Sequence, residues 1–173
     1  MENSKVLISA EEIKLKLAEL GQQITNDYAG ESLLMVGVLK GAFMVMADLA
    51  RQVNLAVEFD FMAVSSYGAA TQSSGVVRIL KDLDQEIAGR NVLIVEDIVD
   101  SGLTLSYLTK SLRVRKPKSL EIAALLLKKD IQRVSIEVKY TGFEIGPEFV
   151  VGYGLDHAGK YRNLPHIAVM DTE

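Results

Sequence analysis

The sequence predicts an α/β fold, a mainly parallel twisted sheet flanked by helices, and three observations lead there. Residues 33–38, 91–95 and 120–127 are short apolar runs without polar alternation, the pattern of strands buried on both faces. Between them lie segments whose apolar residues recur at helical spacing, so strand and helix alternate as a parallel sheet requires. Finally, 49% of the 173 residues are apolar. A chain of this length buries roughly 70% of its unfolded surface without metals or disulfides.

Each element has its own signature. Ile13, Leu17, Leu20 and Ile24 define one face of a helix over residues 10–28, and Ser9 followed by Glu12 has the form of a capping box at its start. The run 33–38 ends at Lys40-Gly41, and a second helix-like segment covers 42–52. Residues 57–64 and 76–81 read as strands, joined by the small, polar segment 65–75, which has the composition of a mobile surface loop. After the strand at 91–95, Leu105, Leu108 and Leu112 mark a helix that ends near Pro117, and the buried strand 120–127 follows. Residues 142–145, 149–153 and 167–170 look like short strands with no helix between them, forming a small cap or extending the sheet edge. No repeat or interdomain linker interrupts the chain, so residues 1–173 are expected to form one domain.

Composition removes several classes of function. With no Cys there is no disulfide framework, thiolate zinc site, iron–sulfur cluster or cysteine nucleophile, and a cytoplasmic location is favoured. Residues 1–12 lack the basic stretch and apolar core of a secretory signal. The most apolar stretch, 33–47, is broken by Lys40 and falls short of the roughly 20 residues that span a bilayer, so no membrane partner is expected. Nineteen basic against 23 acidic residues give a net charge of −4, which argues against a nucleic acid partner.

In a doubly wound sheet, ligands bind beyond the carboxyl ends of the strands, where loops become helix N-termini. The apolar strand Val92-Leu93-Ile94-Val95 runs into Glu96-Asp97, then Ile98-Val99-Asp100-Ser101-Gly102-Leu103-Thr104, and then a helix. Free amides of residues 101–104, the hydroxyls of Ser101 and Thr104 and the positive end of the helix would together cradle a phosphate. Glu96 and Asp97 cannot bind phosphate directly; they suit sugar hydroxyls or a hard cation such as Mg²⁺. Carboxylates and a phosphate cradle on one turn describe a ribose phosphate. Taken alone, Asp100 or Ser101 could equally be a helix cap.

The segment Val-Glu-Asp-Ile-Val-Asp-Ser-Gly-Leu-Thr at 95–104 resembles the phosphoribosyl-diphosphate (PRPP) motif of the type I phosphoribosyltransferases. Lys40-Gly41 within 38–43, Ser66-Tyr67, Lys128, residues 149–156 and 161–165 are similar, in order and spacing, to the hypoxanthine-guanine branch of that family. The resemblance covers nearly the whole chain. It implies the type I phosphoribosyltransferase fold with a small hood formed by the termini. The implied activity is transfer of phosphoribose from PRPP to hypoxanthine or guanine, giving IMP or GMP and diphosphate, with Mg²⁺ as cofactor and a homodimer or homotetramer as the assembly.

The same resemblance assigns roles. Glu96, Asp97, Asp100, Ser101, Gly102, Leu103 and Thr104 hold the ribose and its phosphate, and Asp100 is the general base toward the purine imidazole. Lys40, Gly41 and Arg162 face the diphosphate, Lys40 through its backbone in a turn of unusual peptide geometry. Ser66 and Tyr67 belong to a lid. Lys128, Phe149, Val150 and Asp156 surround the purine, with Lys128 donating to its O6 and Phe149 stacking on the ring. Glu96, Asp97 and Asp156 are the metal-binding candidates. Leu103 departs from relatives that carry Lys at that position, which removes one cation near the 5′-phosphate.

Other patterns are weaker. Residues 154–161 nearly match a phosphate-binding loop but end in Tyr161 where a small hydroxyl is needed, and His157 takes the place of the third glycine of a dinucleotide fingerprint. Arg113, Arg115, Lys116 and Lys118 cluster near a helix C-terminus, where positive charge is favoured by the helix dipole. Two further readings stay open: the same chemistry with xanthine as the preferred base, and a regulatory protein that keeps the fold to sense nucleotide and bind RNA.

Overall fold

The computed structural model describes residues 4–66 and 77–170. In chain order the elements are β1 (Ser4–Ile8), α1 (Ala10–Asp27), β2 (Leu33–Leu39), α2 (Phe43–Gln52), β3 (Val57–Ser66), β4 (Val77–Lys81), β5 (Asn91–Val99), α3 (Leu103–Arg113), β6 (Ser119–Leu127), β7 (Tyr140–Glu144), β8 (Val150–Val151) and β9 (Ile167–Met170). Six strands form the main sheet in the order β4-β3-β2-β5-β6-β7, all parallel except β4, which runs antiparallel to β3. A smaller antiparallel sheet, β1-β9-β8, joins the two ends of the chain as a hood.

The apolar runs do what their lack of alternation predicts. Along β2, Leu33 and Met35 pack into a cluster with Ile13 and Leu17 of α1 and Leu49 of α2. Leu34, Val36 and Val38 point the other way, into a cluster with Leu105, Leu108 and Leu112 of α3. Each of those buried leucines contributes about 1.5–3 kcal/mol relative to exposure. The start of α1 carries the anticipated capping box: the Ser9 amide donates to Glu12 Oε2 at 2.8 Å, and the Glu12 amide donates to Ser9 Oγ at 3.2 Å.

Three elements differ from the sequence expectation. β5 continues to Val99 because β6 goes on pairing with it, Glu96 opposite Ala124 and Ile98 opposite Leu126, so the two acidic residues lie within the strand rather than beyond its end. β1 buries only Ile8 of its short apolar run, leaving Val6 and Leu7 exposed, and is a strand because it pairs with β9. The tail both caps and extends: β8 and β9 build the hood, while β7 joins the main sheet parallel to β6 after only a single 3₁₀ turn, Lys129–Ile131.

The order of strands positions the site. From β2 the chain passes through α2 to β3 on one side, while β5 lies on the other side, so winding reverses between β2 and β5. A crevice opens at the carboxyl ends of strands at such a point. No helix among the described residues is long and apolar enough to cross a membrane.

Candidate active site

A cavity of about 230 Å³ occupies that crevice. Its wall includes Gly41 from the turn after β2, Glu96 and Asp97 from β5, and Asp100, Ser101 and Thr104 from the loop that opens α3. The Leu39-Lys40 peptide is cis, as the unusual turn geometry expected there. Lys40 presents an exposed side chain, while Leu39 and Gly41 on either side of it line the cavity. A Cβ on Gly41 would lie 1.8 Å from Asp97 Oδ2, so only glycine lets this turn approach the acidic pair.

The loop that opens α3 is held from below. Gly102 has φ +80°, and a Cβ there would meet the Val134 carbonyl oxygen at 2.4 Å. The Ser101 carbonyl accepts from the Arg133 and Val134 amides at 2.9 and 3.2 Å, and Ser101 Oγ accepts from the Leu103 amide at 3.3 Å. The Ser106 amide donates to the Gly102 carbonyl at 2.9 Å, which leaves the Thr104 and Leu105 amides without an intrahelical acceptor at the positive end of the helix dipole, the arrangement that favours an anion. Leu103 itself begins α3 and lies outside the cavity wall.

Electrostatics set the acidic pair apart. Glu96 is buried, and desolvation, reinforced by the charge of Asp97, pushes its carboxyl well above the usual carboxylate range. Burial also raises Asp97; hydrogen bonds from backbone amides and the Arg162 guanidinium oppose that shift, and Asp156 adds to it. Arg162 and Asp156 thus bear on Asp97 through their charge, although neither lines the cavity. They form an ion pair at 2.6 Å, Arg162 Nη1 donates to the Gly154 carbonyl at 2.6 Å, and Asp156 Oδ2 accepts from the Gly159 amide at 2.8 Å.

Of the remaining candidates, Lys128 is 6% exposed at the end of β6, and among the described residues its ammonium has no ion-pair or hydrogen-bond partner. Its amide donates to the Val99 carbonyl at 3.0 Å. Phe149 is exposed and meets His157 edge to face at 5.5 Å, while Val150 is buried and pairs with Val169. Ser66 is the last residue of β3, and Tyr67 lies outside the described residues.

The weaker patterns resolve simply. Residues 154–161 fold back through a bridge between His157 and Lys160 and start no helix. In the basic cluster, Arg115 pairs with Asp82 and Lys118 with Glu31, and away from it Lys129, next to Lys128 in sequence, pairs with Glu144. Sequence reasoning missed Gly154, whose own Cβ would lie 2.1 Å from the Gly41 carbonyl oxygen. The only sign of it was the pair of glycines at 152 and 154.

Among the described residues no group of three Asp, Glu or His side chains could cage a metal ion. The donors at hand are carboxylates. That set fits Mg²⁺, which binds through one or two carboxylates plus phosphate oxygens, and does not fit a metal needing a full protein cage.

The fold and the sequence that carry this cavity are matched by known proteins. Residues 6–158 match the phosphoribosyl transferase domain model, and the chain belongs to that family. Within it, the chain is 55% identical over 172 residues to the hypoxanthine-guanine phosphoribosyltransferase of Mycobacterium tuberculosis (strain CDC 1551 / Oshkosh), covering 96% of this chain and 85% of that one. It is 54% identical over 166 residues to the hypoxanthine-guanine phosphoribosyltransferase of Bacillus subtilis, covering 96% and 92%. A crystal structure of a hypoxanthine phosphoribosyltransferase from Staphylococcus aureus superposes with a TM-score of 0.93 at 47% identity, covering 96% of this chain and 91% of that one. One of a hypoxanthine-guanine phosphoribosyltransferase from Bacillus anthracis, with a HEPES molecule in its active site, has a TM-score of 0.93 at 46% identity, covering 98% and 99%.

Proposed function

We propose that the protein is a purine-salvage transferase that moves the 5-phosphoribosyl group from PRPP to hypoxanthine or guanine, releasing diphosphate and giving IMP or GMP. The observation that carries this reading is the single cavity wall on which Glu96, Asp97, Asp100, Ser101 and Thr104 meet. It offers acceptors for sugar hydroxyls next to donors for a phosphate.

The chemistry follows from where charge develops. As the bond from the anomeric carbon to diphosphate breaks, positive charge builds on the sugar and negative charge on the leaving group. The first-turn amides of α3 and the Ser101 and Thr104 hydroxyls hold the 5′-phosphate, and Glu96 and Asp97 take the ribose hydroxyls, fixing the anomeric carbon. The Lys40-Gly41 backbone and the Arg162 guanidinium receive the departing diphosphate. Glu96, Asp97 and Asp156 are the carboxylates that would hold Mg²⁺, one or two of them together with diphosphate oxygens, and the ion would supply positive charge to the leaving group.

Asp100 takes the proton from the purine imidazole nitrogen while the neighbouring nitrogen bonds to the sugar. Lys128 donates to the purine O6. An adenine amino group would present a donor to that ammonium, so the site selects oxopurines. Phe149 stacks on the base and the Val150 backbone meets its edge. Ser66 and Tyr67 belong to the segment that would cover the reacting centre and keep water from capturing the sugar cation. Self-association as a dimer or tetramer is supported by the apolar surface that Phe43, Phe59 and Phe61 form over α2 and β3.

Steady-state assays of the purified protein with Mg²⁺, PRPP and each purine test the reading. IMP and GMP should form, and AMP should not. Failure to form either product, with salt-sensitive RNA binding in its place, would overturn it.

A further inference from the structure

Tyr153 belongs to none of the groups assigned above, yet its surroundings are unusual. It is 8% exposed, and residues 152, 153 and 154 all adopt left-handed backbone angles, φ +101°, +48° and +100°. A tyrosine is disfavoured there, so the surroundings must hold it. Its amide donates to the Leu164 carbonyl at 2.9 Å, and its phenol donates to Asp48 Oδ2 on α2 across 105 residues of sequence. Asp48 is in turn braced by Arg51, whose Nη1 donates to Oδ1 at 2.8 Å.

Two segments meet at this link. On one side is the loop that carries Phe149, Val150, Asp156 and Arg162. On the other is α2, which begins directly after the Lys40-Gly41 turn. Gly154, next to Tyr153, stacks its backbone on the Gly41 carbonyl so closely that a Cβ would come within 2.1 Å of the oxygen. Gly41 itself abuts Asp97.

We infer that the Tyr153–Asp48 hydrogen bond is a positioning device for this reaction: it fixes the hood loop against α2 so that Gly154 props the Gly41 turn in its diphosphate-receiving orientation. The inference rests on the proposed role of that turn. Neither side chain touches substrate; both act through Gly154 and Gly41. Loss of the bond should therefore appear in handling of PRPP and leave the proton-transfer step alone.

The test uses the full chain and steady-state kinetics with PRPP varied at saturating hypoxanthine. Tyr153→Phe and Asp48→Ala should each raise KM for PRPP roughly tenfold, the scale of one hydrogen bond to a charged group, with kcat held within about twofold. Asp48→Asn, which keeps an acceptor for the phenol, should stay within about threefold of the unsubstituted protein. The double variant Tyr153→Phe/Asp48→Ala should be no worse than either single variant, because both remove one shared interaction. An unchanged KM in Tyr153→Phe, or a fall in kcat at unchanged KM, would overturn the inference while leaving the transferase reading intact. Absence of turnover in the unsubstituted protein would overturn both.

Discussion

Gly41 and Asp97 touch where β2 ends and β5 passes, with room for a hydrogen and none for a methyl: a Cβ on Gly41 would stand 1.8 Å from Asp97 Oδ2. Gly41→Ala must displace either the turn or the carboxylate. A misplacement of about 1 Å at a reacting site costs roughly 100-fold. The variant should lose about that factor in kcat/KM for PRPP. Chemical denaturation would show whether the fold persists, and full activity in a folded Gly41→Ala variant would contradict the close approach.

Glu96 is a buried carboxyl on the cavity wall. Its burial raises its pKa, so folding works against the charge that the residue carries in the unfolded chain. Glu96→Gln should make the free protein more stable near neutral pH, by on the order of 1 kcal/mol. It should also weaken PRPP binding about 10- to 100-fold, the range expected for a lost charge-assisted hydrogen bond. Urea unfolding and PRPP titration measure the two effects. A variant both less stable and undiminished in binding would contradict this account of the residue.

Asp100 is the proposed proton acceptor. It is exposed and lines the same cavity wall as the acidic pair. Asp100→Asn retains size and an acceptor but cannot take a proton, and should depress kcat by about 100- to 10,000-fold. KM for PRPP should change far less. Unchanged turnover would remove Asp100 from the proton transfer.

Away from the site, Arg115 donates to both carboxylate oxygens of Asp82, at 2.9 and 2.8 Å, and holds that carboxyl below the usual range. Its folded pKa lies below its unfolded one, so in acid the unfolded chain binds more protons. The contribution is present above the ordinary carboxylate pKa and lost as pH falls through the lowered value. Because the pair is solvent-screened, it is worth at most about 1 kcal/mol. The stability difference between the unsubstituted protein and Asp82→Asn should be constant from pH 8 to about 5 and shrink below about 4. A difference that grows in acid would reverse the sign.

What could be read from the sequence follows from which interactions are local. β2, β5 and β6 were legible because both faces of each are buried, which removes polar alternation from Leu33–Leu39 and from most of Ser119–Leu127. The acidic pair and the loop that opens α3 were legible because one contiguous segment, 96–104, carries them from the end of β5 into the helix. β1 was not: Val6 and Leu7 are exposed, and the strand exists through pairing with a partner more than 150 residues away, Ser4 opposite Met170. The true end of β5 was hidden because pairing with β6 outlasts its own apolar run. The contacts of Gly154 with Gly41 and of Tyr153 with Asp48 have no local signature at all, since each joins residues more than 100 apart.

The most direct measurement is a crystal structure of the protein with IMP and Mg²⁺-diphosphate. The 5′-phosphate should sit on the first-turn amides of α3 with the Ser101 and Thr104 hydroxyls, and the ribose hydroxyls on Glu96 and Asp97. Nucleotide bound elsewhere, with the 96–104 segment making no contact to it, would contradict the account.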